Sequence, residues 1–409
     1  MTRNKAFSAA LAALLIAVAL GYGIDWRFWY RWYTIPEDAG EWPASYYQPT
    51  TRLPGNPGAG LPAATPAGSA VDPAALKAAA DYAEARNSIA LLVWHKGALQ
   101  LERYWQGATQ DELLTGRAMT RSLLPPLVAL AIAEGDLAGL DEPVATYLEE
   151  WRGDARGAIT LRQLLLNTSG LENRLAGPQS GPRSKEVRLS LGSDFAAVAL
   201  RYRLVAEPGT VFSHSNANAQ LLAIVLERAT GVPYEDYLQT RLWGPLEAAP
   251  AELYMDRFAG MPAAYCCFRA RARDWLRFGI ALLNDGQVNG RQVWPAGWVG
   301  EMRVGSAANP NYGYQVWTGN PPTELREYVV GTGRGVQHGG AIADPEVMFL
   351  EGGGYRTLYV LPQSGLVVLR LGYTDPGWET SALPNLLISG TLAAPDLGPT
   401  ATFSRQNGQ

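Results

Sequence analysis

Ser88-Ile-Ala-Leu-Leu-Val-Trp-His95, then Lys96-Gly97, then Ala98-Leu-Gln-Leu-Glu-Arg-Tyr-Trp105, is the stretch on which the fold turns. Two strand-compatible runs flank a glycine turn, which predicts a β-hairpin. Far along the chain, Val347-Met-Phe-Leu350, Arg356-Thr-Leu-Tyr-Val-Leu361 and Leu366-Val-Val-Leu-Arg-Leu371 carry the same signal, the last two meeting around Pro362-Gln-Ser-Gly365. An alanine-rich helix, Pro73 to Arg86, precedes the hairpin, and the middle of the chain reads as mostly helical. Strands at both ends with helices between them predict an α/β (α+β) domain. Its antiparallel sheet is completed by the returning C-terminus, flanked by helices, and interrupted by an inserted helical region. A ligand is expected where these layers meet.

The 409 residues are 47% apolar and only 18% charged, enough for a sizeable core. Thirty-four basic against 38 acidic residues leave a net charge of −4, too little field to attract a nucleic-acid backbone. Cys266 and Cys267 are adjacent; a bridge between neighbours closes a strained ring, so they are expected as buried thiols. His95, His214 and His338 stand apart with no metal-ligand spacing, so neither a metal nor a cofactor is expected.

Ala6 to Ile24 carries no charge and would span about 28 Å as a helix, the thickness of a bilayer core. Arg3 and Lys5 precede it, and Asp25-Trp-Arg-Phe-Trp-Tyr-Arg-Trp-Tyr33 follows with the composition of a membrane-interface belt. The pattern predicts an inner-membrane anchor with the main domain periplasmic, residues 6–24 being the membrane contact. The alternative is a signal peptide cleaved after Ala17-Val-Ala19, leaving a secreted protein. Thr34 to about Ala70, rich in Pro, Gly and Ala, reads as an extended spacer. The expected division is therefore an anchor or signal at 1–25, a linker at 26–70, the main domain at 71–395 and a tail at 396–409.

Several ordered segments carry a family resemblance. Glu134-Gly-Asp-Leu-Ala-Gly-Leu-Asp-Glu-Pro-Val-Ala-Thr-Tyr-Leu148, Ile159-Thr-Leu-Arg-Gln-Leu-Leu-Leu-Asn-Thr-Ser-Gly-Leu171 and Glu207-Pro-Gly-Thr-Val-Phe-Ser-His-Ser-Asn216 resemble the serine β-lactamase and penicillin-binding-protein superfamily. So does Tyr265-Cys-Cys-Phe-Arg-Ala-Arg-Ala-Arg-Asp-Trp-Leu-Arg-Phe-Gly279. Together with Leu242-Trp-Gly-Pro-Leu246 and Asn311-Tyr-Gly-Tyr-Gln-Val-Trp317, it resembles the branch of 6-aminohexanoate-dimer hydrolases and related esterases. The likeness covers about residues 72 to 392.

That resemblance implies a Ser-x-x-Lys motif in which the serine attacks an acyl carbon and the lysine removes its proton. Here the two positions hold Ala118 and Arg121. A methyl group cannot attack a carbonyl, and a guanidinium does not surrender its proton at physiological pH. The family's Tyr-x-Asn reads His214-Ser215-Asn216, and its glycine-rich strand reads Glu351-Gly-Gly-Gly-Tyr-Arg356. Asn216, Gly352, Gly353, Gly354, Tyr355 and Arg356 are the implied ligand-binding positions. Pro125 and Pro126 would break a helix begun at Ala118, which predicts a helix from Leu123 to about Glu134 capped by Ser122. The expectation is a serine-hydrolase fold without the acyl-enzyme mechanism, a pseudoenzyme binding an amide, ester or peptide-like ligand or an unspecified protein partner. The alternative is an esterase or amidase rebuilt around His214, with Ser122 or Ser215 as nucleophile or with Glu207 orienting the imidazole.

Overall fold

The computed structural model describes residues 7–8, 11–14, 16–17, 25–35, 46–65, 68–173, 180–329, 331–333 and 335–393. The hairpin forms as β1 (Ser88–His95) and β2 (Ala98–Tyr104), turning at Lys96 and Gly97, both at positive φ. A short β3 (Trp317–Thr318) and three C-terminal strands, β4 (Met348–Gly352), β5 (Arg356–Leu361) and β6 (Leu366–Gly372), complete the main sheet. Its order is β2-β1-β6-β5-β4-β3, antiparallel throughout, so the two ends of the chain meet at the β1–β6 pair.

Every residue of β1 and β6 is buried, which explains why their sequences are continuous apolar runs rather than alternating ones. Leu91, Val93, Leu366 and Val368 pack on one face with Leu76, Ala79, Leu383 and Leu387, from the helices Pro73–Glu84 and Ala382–Ala393. Ala90, Leu92, Val367 and Leu369 belong to the larger core on the other face, with Trp275, Leu276 and Phe278 of helix Ala272–Leu283.

The inserted helical region is built around helix Asn216–Thr230, buried at every position from Ala217 to Leu226. Ser215 caps it, Oγ accepting the Ala217 amide, and Gly231 ends it at positive φ. It packs against helices Leu124–Glu134 and Leu161–Leu165. A second, small sheet joins Thr50–Leu53, Ala251–Tyr254, Arg269–Ala270 and Leu114–Thr115, and delivers the chain into residue 116.

Three readings of the N-terminal part and the cysteines need revision. Trp26–Tyr33 is a helix, here α1, fastened to the domain rather than free of it. Phe28 is buried with Val187 and Leu191, and Arg31 donates to the carbonyls of Gln48, Leu191, Gly192, Met255 and Asp256. Within the expected spacer, Thr50–Leu53 pairs with Ala251–Tyr254 and Ala63 bridges to Leu99, so residues 46–65 lie on the domain surface. Cys266 and Cys267 are not thiols but are bonded to each other. Cys267 adopts φ 75°, the left-handed turn that lets two neighbouring side chains meet.

Of the expected anchor, residues 7–8, 11–14 and 16–17 are described and helical, and the rest lies outside the described residues, as does the 396–409 tail. Among the described residues no helix is long and apolar enough to cross a membrane.

Candidate functional site

The segment expected to carry a nucleophile enters as a 3₁₀-helix, Arg117–Leu123, and becomes α-helical over Leu124–Glu134. Pro125 and Pro126 fall in the first α-turn, where a missing amide hydrogen has no intrahelical partner to lose. The expected cap is therefore wrong. Ser122 lies one residue too early, the cap position being Leu123, and its hydroxyl donates instead to the Gln315 carbonyl at 2.6 Å. A 3₁₀-helix has about three residues per turn, so Ala118 and Arg121 eclipse on one face while Ser122 points about 120° away.

The turn before this helix is held tightly. Gly116 lies under the Trp275 indole, which leaves no space for a side chain. Arg117 sits at φ 51°, and its carbonyl accepts from the Thr120 hydroxyl at 2.7 Å and from the Cys267 amide at 3.1 Å. Gly352, at the end of β4, presses on the Gly116 carbonyl and lies beside the Ala118 nitrogen, so a methyl group there would collide with backbone. Strand β4 and the Ala118 turn are thereby in direct backbone contact.

Arg121 lies buried one turn beyond Ala118. It is only 3% exposed and donates through Nη2 to Asn216 Oδ1 and through Nη1 to the Ser215 carbonyl at 3.3 Å. The Tyr312 oxygen is a further acceptor. Burial lowers the Arg121 pKa, against an opposing pull from Tyr312, Tyr328 and Tyr265; among the described residues no carboxylate pairs with it. Asn167, at φ 57°, organises the far side: its Oδ1 accepts from the Ser215 amide and Asn218 Nδ2, and its carbonyl from the Ser213 amide.

His214 stands in a box of rings, 5.5 Å from Tyr312, 5.8 Å from Trp317 and 5.3 Å from Tyr328 between centroids. Burial, with the charges of Arg121 and Arg326, keeps its pKa well below the usual histidine value, so the ring is neutral at physiological pH. Glu207, expected as a possible orienter, is an exposed loop residue, and the charges acting on the imidazole are both cationic. The neighbouring hydroxyls have other work: Ser213 Oγ accepts from Asn173 Nδ2, and Ser215 caps its helix.

In the glycine strand, Glu351 is buried, paired with Arg326, and accepts the Tyr328 hydroxyl at 3.0 Å. Gly353 is exposed and Gly354 turns at φ 80°. The Tyr355 ring lies along Trp378, 6.4 Å away and near parallel. Arg356 is buried and donates to the Gly353 carbonyl at 2.6 Å, bracing the turn from beneath. The structure thus gathers Ala118, Arg121, His214, Ser215, Asn216 and Gly352, while Ser122, Tyr355 and Arg356 are committed elsewhere.

Asn167, Tyr312, Gln315, Arg326 and Tyr328 complete the site without having been singled out as site residues from sequence. Tyr312 and Gln315 lie within the Asn311–Trp317 run, and Asn167 ends the run of leucines before Thr-Ser-Gly; a polar residue held among buried neighbours was the available signal.

Known proteins are similar to this chain in sequence and fold. The β-lactamase family model matches residues 75–384. The 6-aminohexanoate-dimer hydrolase of Paenarthrobacter ureafaciens is 28% identical over 227 residues, 53% of this chain and 57% of that protein. Monacolin J acid methylbutanoyltransferase of Aspergillus terreus is 34% identical over 125 residues, 30% of this chain and 28% of that one. The chain thus spans under two thirds of the length of both. Among solved structures, a 6-aminohexanoate-dimer hydrolase candidate from Bacillus anthracis superposes with a TM-score of 0.63 at 20% identity, covering 85% of this chain and 89% of the other. EstCE1, a hydrolase with promiscuous acyltransferase activity, gives 0.56 at 18%, covering 78% and 97%. At these identities the structural likeness speaks for the fold alone. The match over residues 75–384 settles membership: the chain belongs to the β-lactamase family, within the superfamily of serine hydrolases and penicillin-binding proteins, with 6-aminohexanoate-dimer-hydrolase-like relatives.

Proposed function

We propose that this protein binds a small ligand reversibly in the family cleft and has no acyl-enzyme chemistry there, a pseudoenzyme held at the outer face of a membrane through residues 6–24. The observation that carries this reading is the pair Ala118 and Arg121, a methyl where attack would begin and a permanently charged guanidinium where the base would stand. The other reading, an esterase or amidase rebuilt on His214, needs either a serine hydroxyl to activate or a carboxylate such as Glu207 to orient the ring for water activation. Glu207 is exposed, and the charges acting on His214 are cationic. Ser122 donates to Gln315 and Ser215 caps helix Asn216–Thr230.

The ligand is an amide, ester or peptide-like molecule that carries a carboxylate. Arg121 is buried among amide, carbonyl and phenol oxygens with no acidic partner, and its Nε has no acceptor among the described residues. A buried cation of this kind is stabilised when an anion arrives.

The test is the intact mass of the full chain after exposure to a fluorophosphonate and to a penicillin, beside the triple variant Ala118→Ser/Arg121→Lys/His214→Tyr. An unmodified parent with a singly labelled variant supports the reading. A stoichiometric adduct on the parent overturns it, and peptide mapping then names the nucleophile.

A further inference from the structure

Helix α1 has two unlike faces. Phe28 and Arg31 face the domain: the Arg188 guanidinium lies 3.5 Å from the centre of the Phe28 ring, and Arg31 donates to five main-chain carbonyls. Asp25 ties down the start of the helix, Oδ1 accepting the Phe28 amide and Oδ2 the Ser193 amide. On the other face Trp26, Tyr30 and Tyr33 recur at i, i+4 and i+7 and are 61%, 64% and 78% exposed. Phe258, some 230 residues later, joins them at 75% exposure, with the Arg27 guanidinium 5.1 Å from the Trp26 ring and 5.3 Å from the Phe258 ring.

We infer that this aromatic face is a seat on the phospholipid headgroup region, so that the domain rests directly on the bilayer at α1 and Phe258 instead of standing off it on a spacer. Solvent-exposed aromatic side chains grouped this densely are costly in water. Tyrosine and tryptophan rings with an arginine between them suit the boundary where acyl chains give way to phosphates. Position argues for the same occupant. The uncharged run Ala6–Ile24 ends two residues before α1, and its described apolar residues Phe7, Leu11, Leu14 and Ile16 are exposed. A chain leaving a bilayer at Ile24 must begin α1 at the surface of that bilayer. Because α1 is clamped through Arg31, whatever fixes α1 also fixes the 186–193 and 256–258 segments beneath it.

This inference rests on the membrane part of the proposed function, and the experiment separates the two. The full chain is assembled into phospholipid nanodiscs containing a lipid with a photoactivatable headgroup, and cross-linked sites are mapped by mass spectrometry. Failure to assemble into discs overturns both the anchor and the seat. Assembly with labels at both Trp26–Tyr33 and Phe258 is the expected result. Labels confined to Trp26–Tyr33 leave the anchor standing and overturn the seat, as do protein–protein cross-links through Trp26 and Phe258, which would mean that a second copy covers the face. Arg31→Ala, which releases the clamp, is expected to keep the label on α1 and lose it at Phe258. Trp26→Ser/Tyr30→Ser/Phe258→Ser leaves the clamp and the anchor intact and is expected to lose the lipid label at residue 258, while the 25–33 amides stay protected from hydrogen exchange.

Discussion

Arg121 reaches to Asn216, Nη2 donating to Oδ1 at 2.5 Å, and ties the Arg117–Leu123 segment to the first residue of helix Asn216–Thr230. The bond satisfies a guanidinium hydrogen but supplies no negative charge. Neutral oxygens are what Arg121 has for company, and this governs both reactivity and binding at the site.

Restoring the hydroxyl alone should not restore attack. Ala118→Ser places an oxygen beside Arg121, which accepts no proton. Fluorophosphonate labelling of that single variant, followed by intact mass over time, is expected to run about 100-fold or more slower than in the triple variant, the usual contribution of a general base.

Carboxylates should stabilise the protein and their esters should not. In thermal-shift assays, N-acyl amino acids are expected to raise Tm while the matching methyl esters leave it unchanged, and Arg121→Met should abolish the response. A ligand at 100 times its Kd would contribute about 2.7 kcal/mol.

The buried pair Arg326 and Glu351 anchors the glycine strand from below. Glu351→Gln strands a buried guanidinium and should cost about 3–5 kcal/mol in urea unfolding, whereas Arg326→Met/Glu351→Met, which removes both charges, should cost less than the single change.

Crowding at Gly352 should be measurable. Gly352→Ala drives a methyl into the Gly116 carbonyl and the Ala118 amide and should destabilise by about 1–3 kcal/mol. Gly353→Ala, one residue on with open space around it, should fall within about 0.5 kcal/mol of the parent.

Stability should fall on acidification below about pH 6.5. Burial holds His214 well below its usual value and, with the Arg326 charge, brings His338 to about 4. A histidine whose folded pKa is depressed binds its proton more readily when unfolded. Its contribution is therefore complete above the unfolded value and declines as pH drops toward the folded one. Urea midpoints between pH 7.5 and 5 should record the decline, and His338→Leu should flatten it.

The sheet was legible because strands covered on both faces leave long apolar runs such as Ser88–His95 and Leu366–Leu371. The family was legible because its ordered segments are spread along the chain. Other features depended on partners distant in sequence. Ser122 looked like a cap because prolines followed it, but its acceptor, Gln315, lies 193 residues away. Arg31 looked like part of a membrane belt because it sits among aromatic residues. The carbonyls that receive it arrive from residues 48, 191–192 and 255–256, and no local pattern announces them. The Cys266–Cys267 bond depended on a single backbone torsion that sequence does not print.

Arg31 behaves as a removable rivet. Its five acceptors come from three stretches of chain, so one guanidinium closes loops of very different length without a covalent bond. The arm that carries it is in effect an intramolecular ligand, present at the high local concentration that its own tether imposes. A single cut between residues 36 and 45 would turn that ligand into a separate peptide. Its residence on the domain would then depend on how much of it there was in solution, although the cut itself alters none of the contacts that hold it.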